Sequence, residues 1–172
     1  LSKLSLYGFR RRGALPSRSI CRMRAVIQRV LNASVSVDQK QVSRIDKGLL
    51  ILLGVDIADT EDDLLWLVQK IAGLRIFSDH DDKMNLSISD IDGEVLVVSQ
   101  FTLFGATKKG NRPSFLRAAK PDKGEKDYLK FVDELQGLIE KPIQKGVFGA
   151  DMKVDLCNDG PVTLIIDTKN KE

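Results

Sequence analysis

One histidine, His80, and two cysteines, Cys21 and Cys157, supply all the imidazole and thiol in this sequence. A Ser-His-Asp relay needs an imidazole beside its nucleophile. His80 instead sits in Asp79-His80-Asp81-Asp82, which reads as a solvated turn. A lone histidine and two distant cysteines do not make a zinc site. The aspartates around His80 lack the glycine and the closing glutamate of a calcium loop. No glycine-rich phosphate loop of either common pattern occurs, so no metal and no cofactor is expected. Three short segments remain. Ser99-Gln100-Phe101-Thr102 follows an apolar run, and its hydroxyls and amide could attack or hold a carbonyl, although strands often end in such residues. Phe148-Gly149-Ala150-Asp151-Met152 sets small residues between an aromatic ring and a methionine, as a tight turn with core anchors also would. Asn158-Asp159-Gly160-Pro161 reads as a hairpin turn between two strands.

A basic stretch lies nearby. From Gly105 to Pro121 the chain carries Lys108, Lys109, Arg112, Arg117 and Lys120, with no acid. Such a run suits a solvated loop or contact with nucleic-acid phosphates.

These residues must be positioned by ordinary elements. From Met23, Ala25, Ile27 and Arg29 alternate with Val26, Gln28 and Val30, and Val35 and Val37 continue the strand pattern. Asp38-Gln39-Lys40 turns the chain, Val42 and Ile45 follow, and Leu49–Val55 reads as a buried strand. Thr60 caps a helix with Glu61, Asp62 and Asp63 in its first turn. Its apolar face is Leu64, Leu65, Leu67, Val68, Ile71 and Leu74. Arg75-Ile76-Phe77 is a short strand, and Glu94–Phe101 a central one. Pro121, Asp122 and Glu125 open a second helix in a pattern resembling a capping box. Its buried face is Tyr128, Phe131, Val132, Leu135, Leu138 and Ile139, and Pro142 lies just past its end. Val154-Asp155-Leu156 and Val162–Ile166 read as two closing strands. The sum is a β-rich mixed α/β domain with two main helices, without the regular alternation of a doubly wound fold.

At 172 residues the chain is one domain with a sizeable core. The net charge of +3 comes from its start. Residues 1–22 hold Lys3, Arg10, Arg11, Arg12, Arg18 and Arg22 and no acid; without these six, the 27 basic residues fall to 21 against 24 acidic ones. We therefore expect a basic extension over 1–22, either upstream sequence or a transit peptide, and a domain over 23–172. No window approaches the roughly 20 apolar residues of a membrane-spanning helix. A reducing compartment without disulfides is expected, cytoplasmic, or mitochondrial or plastid if the extension is a transit peptide.

Taken together, the segments resemble the D-aminoacyl-tRNA deacylase (D-tyrosyl-tRNA deacylase) family. The resemblance rests on Ser99-Gln100-Phe101-Thr102-Leu103, Phe148-Gly149-Ala150 with Met152, and Asn158 with Gly160-Pro161-Val162-Thr163. It also rests on Met23–Val30, Leu52-Leu53-Gly54-Val55, Leu74-Arg75-Ile76-Phe77 and Lys109–Phe115, and it runs from Met23 to about Asp167.

The resemblance implies a homodimer with a β/β/α sandwich fold that hydrolyses the ester of D-aminoacyl-tRNAs, and of glycyl-tRNA mischarged on the alanine tRNA. Main-chain groups around Ser99, Gln100, Phe101 and Thr102 would hold the terminal adenosine and the scissile carbonyl, and the neighbouring 2′-hydroxyl of the tRNA would assist the attack. Thr102 as a covalent nucleophile is the lesser alternative, since no base lies within sequence reach. Phe148, Gly149, Ala150 and Met152 would line the substrate pocket. Gly160-Pro161 would form a cis pair that enters the partner's pocket and excludes L side chains. Lys108, Lys109, Arg112 and Arg117 would contact tRNA. Two other functions stay open: a nucleic-acid-binding protein on the same fold, and an editor of L-aminoacyl-tRNA.

Overall fold

The computed structural model describes residues 23–108 and 110–170, so the expected extension over 1–22, Cys21 and Lys109 lie outside the described residues. Strand β1 runs from Arg24 to Val37. Asp38 and Gln39, both with positive φ (49° and 64°), make the two-residue reversal into β2 (Lys40–Ile45), as a turn matched to strand twist requires. Strand β3 (Gly48–Gly54) then pairs antiparallel with the first half of β1, from Arg24↔Gly54 to Val30↔Gly48. The second half of β1 pairs with β2 on that same side.

Helix α1 (Glu61–Ala72) carries the chain away from β3. Thr60 caps it as expected: its hydroxyl accepts from the Asp63 amide, and the Asp63 carboxylate accepts from the Thr60 amide at 3.1 Å. Leu64, Leu67, Val68 and Ile71 are buried, whereas Leu65 is 36 % exposed, because the inward stripe is narrower than the apolar pattern. The small hairpin of β4 (Phe77–Ser78) and β5 (Met84–Leu86) follows. It begins two residues later than expected, and its tip carries His80 with a 90 % exposed side chain, consistent with a solvated turn.

Strand β6 (Glu94–Ser99) returns parallel to β3, from Gly48↔Glu94 to Leu53↔Ser99. A 3-10 turn over Phe101–Phe104 and helix α2 (Pro121–Gln136) lead to β7 (Gln144–Lys145), which is parallel to β6. No capping box opens α2. Lys120 occupies the cap position and its side chain cannot accept a hydrogen bond; Pro121 at the first helical position starts the helix instead. Leu138, expected inside, is 40 % exposed because the helix has already ended at Gln136, while Ile139 is buried.

The last strand, β8 (Lys153–Asp167), is one element, not two strands joined by a hairpin. Both of its halves pair antiparallel with β1, so the chain never reverses at Gly160. Val30 faces Asn158 and Gln28 faces Thr163, so residues 159–162 all bulge opposite Arg29.

Both faces of β3 and β6 are buried, which explains their unbroken apolar runs. Leu49, Ile51, Leu53, Val95 and Val97 meet the helices. Leu50, Leu96 and Val98 meet Val30, Ala33, Val35 and Ile45 of β1 and β2, which fold over the opposite face. The result is a strongly curved, nearly closed sheet with two helices on one side, the β-rich mixed fold that the sequence predicts.

Candidate active site

The C-terminal ends of the parallel strands β3 and β6 and the start of α2 enclose a cavity of about 400 Å³. Leu53, Val55 and Ser99 come from the strand ends, Gln100 and Phe101 from the segment after β6, and Phe115, Ala118 and Ala119 from the loop before α2. Pro121, Gly124 and Tyr128 come from α2 itself, and Phe148 and Gly149 from the loop after β7. Crevices at the carboxyl ends of parallel strands are a common place for sites. Gly124 lets α2 approach the Phe148 ring closely: a Cβ there would lie 3.2 Å from Phe148 Cζ. Phe101 and Phe115 meet edge to face, with ring centroids 5.3 Å apart.

The chemistry is limited by what the lining lacks. Among the described residues its one ionisable group is the Tyr128 phenol, which donates to the Val97 carbonyl at 2.8 Å. Burial pushes that phenol up to about 12, so it is no base at neutral pH. The 3-10 turn offers something else. The Gln100 amide is fixed by the Leu53 carbonyl at 2.7 Å. The next two amides, of Phe101 and Thr102, open the turn, and the first amides of a helical turn have no acceptor within it. Two adjacent amides of this kind are the donors an oxyanion needs. The Thr102 hydroxyl accepts from the Gln100 side chain.

The structure brings Ser99, Gln100 and Phe101 together with Phe148 and Gly149. Thr102 is one residue off the lining. Ala150 and Met152 lie off it too, and Met152 packs into the second core between the sheet layers. Phe115, Ala118, Ala119, Gly124 and Tyr128 have no chemical signature of their own; only the apolar face of α2 hinted at Tyr128.

Gly160-Pro161 is cis and exposed. It lies far from its own cavity: Arg29, opposite the bulge, is five residues along β1 from Arg24 at the cavity end, or about 16 Å at ~3.3 Å per residue. The bulge is tightly held. Arg29 Nε donates to the Asp159 carbonyl at 3.1 Å, and Nη1 donates to the Ile76 carbonyl at 2.7 Å. Asn158 bridges the bulge: its Oδ1 accepts from the Val162 amide at 3.0 Å, and its Nδ2 donates to Gln28 Oε1 at 2.5 Å. Gly160 has φ +125°, and a Cβ on it would lie 3.0 Å from Arg29 Nη2. Arg29, buried at 8 % exposure, holds the bulge, a part that the alternation alone did not single out, although a charge in a buried register was the signal.

Ala106 and Ser114 pair to close the basic loop, on which Lys108 and Arg112 are exposed. Arg117 differs: its Nη2 donates to the buried Asp56 carboxylate at 2.5 Å. Among the described residues no cluster of three potential ligands could hold a metal.

The comparisons with known proteins converge. The family described as D-Tyr-tRNA(Tyr) deacylase matches residues 26–167. A D-aminoacyl-tRNA deacylase from Flavobacterium psychrophilum is 57 % identical over 150 residues, 87 % of this chain and all of that protein. The chain belongs to this family. A family member from Fusobacterium nucleatum is 57 % identical over 148 residues, 86 % of this chain and 97 % of that protein. Among solved structures, one titled c-Myc DNA Unwinding Element Binding Protein superposes with a TM-score of 0.79 at 41 % identity, covering 83 % of this chain and 97 % of that one. Another, described as a probable eukaryotic D-amino acid tRNA deacylase, is 18 % identical and shares the fold at a TM-score of 0.73, over 85 % of this chain and 99 % of that one.

In the turn just before α1, Asp59 is 8 % exposed and its Oδ1 has no hydrogen-bond partner. Burial, then the Asp56 and Asp63 charges, pushes its carboxyl up to about 7, against the Asp56 amide and Lys123, which pull it down. The folded protein therefore keeps a proton that the unfolded chain loses, and stability from this group is present below about pH 4 and lost as pH rises toward 7. Asp59→Asn is expected to stabilise the protein at pH 8 by about 1–3 kcal/mol and to flatten its stability between pH 4 and 8. Denaturant unfolding at several pH values checks this; an unchanged pH slope would contradict it.

Proposed function

We propose that this chain hydrolyses the ester between a D-amino acid and tRNA, using backbone donors and the substrate's own hydroxyl. The carrying observation is the cavity at Ser99-Gln100-Phe101: apolar walls, two amides at the head of a 3-10 turn, and no side chain able to act as a base. An aminoacyl ester beside a 2′-hydroxyl is already activated, so orientation and oxyanion donors supply much of what is needed. The 2′-hydroxyl also marks the substrate as RNA. Ser99, Gln100, Phe101 and Thr102 hold the reacting end, and Phe148 and Gly149 shape the pocket.

Chirality is read by exclusion in this proposal. Gly160-Pro161 is too far from its own cavity to act there, so it serves the cavity of a second copy, and the working form is a homodimer. Its exposure and its clamping by Arg29 and Asn158 support this, as do the open edge of β8 and the exposed Ile165 (76 %), Leu31 (49 %) and Leu156 (37 %). A rigid backbone gate fills the volume an L side chain would need. Lys108 and Arg112 lie on an exposed loop suited to phosphates of the acceptor stem, and Lys109, next to Lys108 in the sequence, adds to its charge.

The likeness to the DNA unwinding element binding protein favours a second reading, nucleic-acid binding without catalysis. Incubation with D-tyrosyl-tRNA separates them: release of free D-tyrosine supports the enzyme, and retention of intact D-tyrosyl-tRNA on the protein supports the binder.

A further inference from the structure

We propose that Arg24 and Arg117, each anchored on a core carboxylate, are positioning residues that fix the 3-10 turn bearing the Phe101 and Thr102 amides, and that Arg117 serves this turn rather than RNA. The inference rests on reading that turn as the donor of the oxyanion hydrogen bonds. Phe104, at the end of the turn, is 3 % exposed and wedged against β3, where a Cβ on Gly54 would lie 3.0 Å from its Cε2 and 3.1 Å from the Gln100 carbonyl. The Arg24 guanidinium lies 5.3 Å from the centre of the Phe104 ring, and that of Arg117 lies 6.0 Å from it. Each is fastened at its other end. Arg24 Nε donates to Asp167 Oδ2 at 2.8 Å, and its Nη1 donates to the Leu103 carbonyl, also at 2.8 Å. Arg117 donates to Asp56, which is 2 % exposed.

The same anchor holds the opposite wall of the cavity. The Ile57 amide donates to the Arg117 carbonyl at 3.0 Å, and the Ala119 amide to the Val55 carbonyl at 2.9 Å. Arg117 therefore spans both walls, the turn through Phe104 and the loop through its own backbone. A guanidinium can meet a carboxylate with its edge and a ring with its face at once, which an ammonium cannot. An oxyanion donor misplaced by a fraction of an ångström loses much of its effect.

Arg117→Lys is the discriminating variant, because it keeps the charge that a phosphate contact needs. We expect the single-turnover rate on D-tyrosyl-tRNA to fall about 5–20-fold, with half-saturating concentration and salt dependence unchanged. Asp56→Asn is expected to slow the reaction similarly. If Arg117 held phosphate, freeing it from Asp56 would instead tighten tRNA binding at an unaltered rate. Amide exchange at Leu103 and Gly105 in the RNA-free protein reports the turn without any activity, and should quicken about tenfold in Arg117→Lys and Arg24→Lys. An unchanged rate and unchanged exchange in Arg117→Lys overturn the proposal. So does Arg117→Ala that weakens binding and lowers the salt slope by roughly 0.7–0.9, the loss of one phosphate contact, while leaving the rate intact. Absence of hydrolysis by the unaltered protein would instead fall on the functional reading, and the exchange measurement still decides this one.

Discussion

D-Tyrosyl-tRNA ending in 2′-deoxyadenosine is expected to be hydrolysed about 10²–10⁴-fold more slowly than the natural ester, the range lost with a positioned proton-transfer group. Thr102→Ala and Ser99→Ala, by contrast, should stay within about tenfold of the unaltered rate, because neither hydroxyl is activated. The reason is local. The one ionisable group on the cavity is the buried Tyr128 phenol, committed to the Val97 carbonyl. The Thr102 hydroxyl is held by the Gln100 side chain. What remains among the described lining residues are backbone amides, which stabilise charge but do not take protons, and the proposed mechanism therefore moves the proton through the substrate. Single-turnover assays with both substrates and both variants check this. A loss of several orders of magnitude in Thr102→Ala, with the fold intact, would restore a side-chain nucleophile.

Glycyl-tRNA is expected to be cleaved at a rate near that of D-alanyl-tRNA, while L-alanyl-tRNA, one methyl larger, is cleaved at least about 10³-fold more slowly, beyond what a yielding pocket achieves. Glycine has no side chain to meet the gate. The methyl of L-alanine would be driven into backbone that cannot yield, since Arg29 and Asn158 clamp the Gly160-Pro161 bulge on both sides. In a yielding apolar pocket one methyl changes the free energy by only about 1–3 kcal/mol, so a larger ratio points to rigid exclusion. The comparison uses the three amino acids on one tRNA body. Equal rates for glycyl- and L-alanyl-tRNA would remove the gate.

Local pattern carried the sequence reading far. The Thr60 cap, the Asp38-Gln39 turn and the buried β3 run each follow from neighbours in the chain. The parallel pairing of β3 with β6 does not, because it is made across α1 and the β4–β5 hairpin. Gly160-Pro161 looked like a hairpin turn because its residue types favour turns; that both flanks pair with the one strand β1 is not legible locally. The same limit applies at the site. Ser99-Gln100-Phe101 and Phe148-Gly149 stood out by residue type, whereas Tyr128 and Gly124 belong to a helix face that reads as core. Arg117 joined the basic run because its partner, Asp56, lies 61 residues earlier.

In the proposed mechanism this cavity reads chirality by excluding one hand. The direct measurement is the single-turnover hydrolysis of D-tyrosyl-tRNA and L-tyrosyl-tRNA, side by side on one tRNA body with the unaltered protein. Rapid release of D-tyrosine is expected, with an L rate lower by at least about 10³-fold, beyond the roughly 10–200-fold that pocket contacts alone achieve. Comparable rates for the two hands, or hydrolysis of the L ester alone, would contradict it.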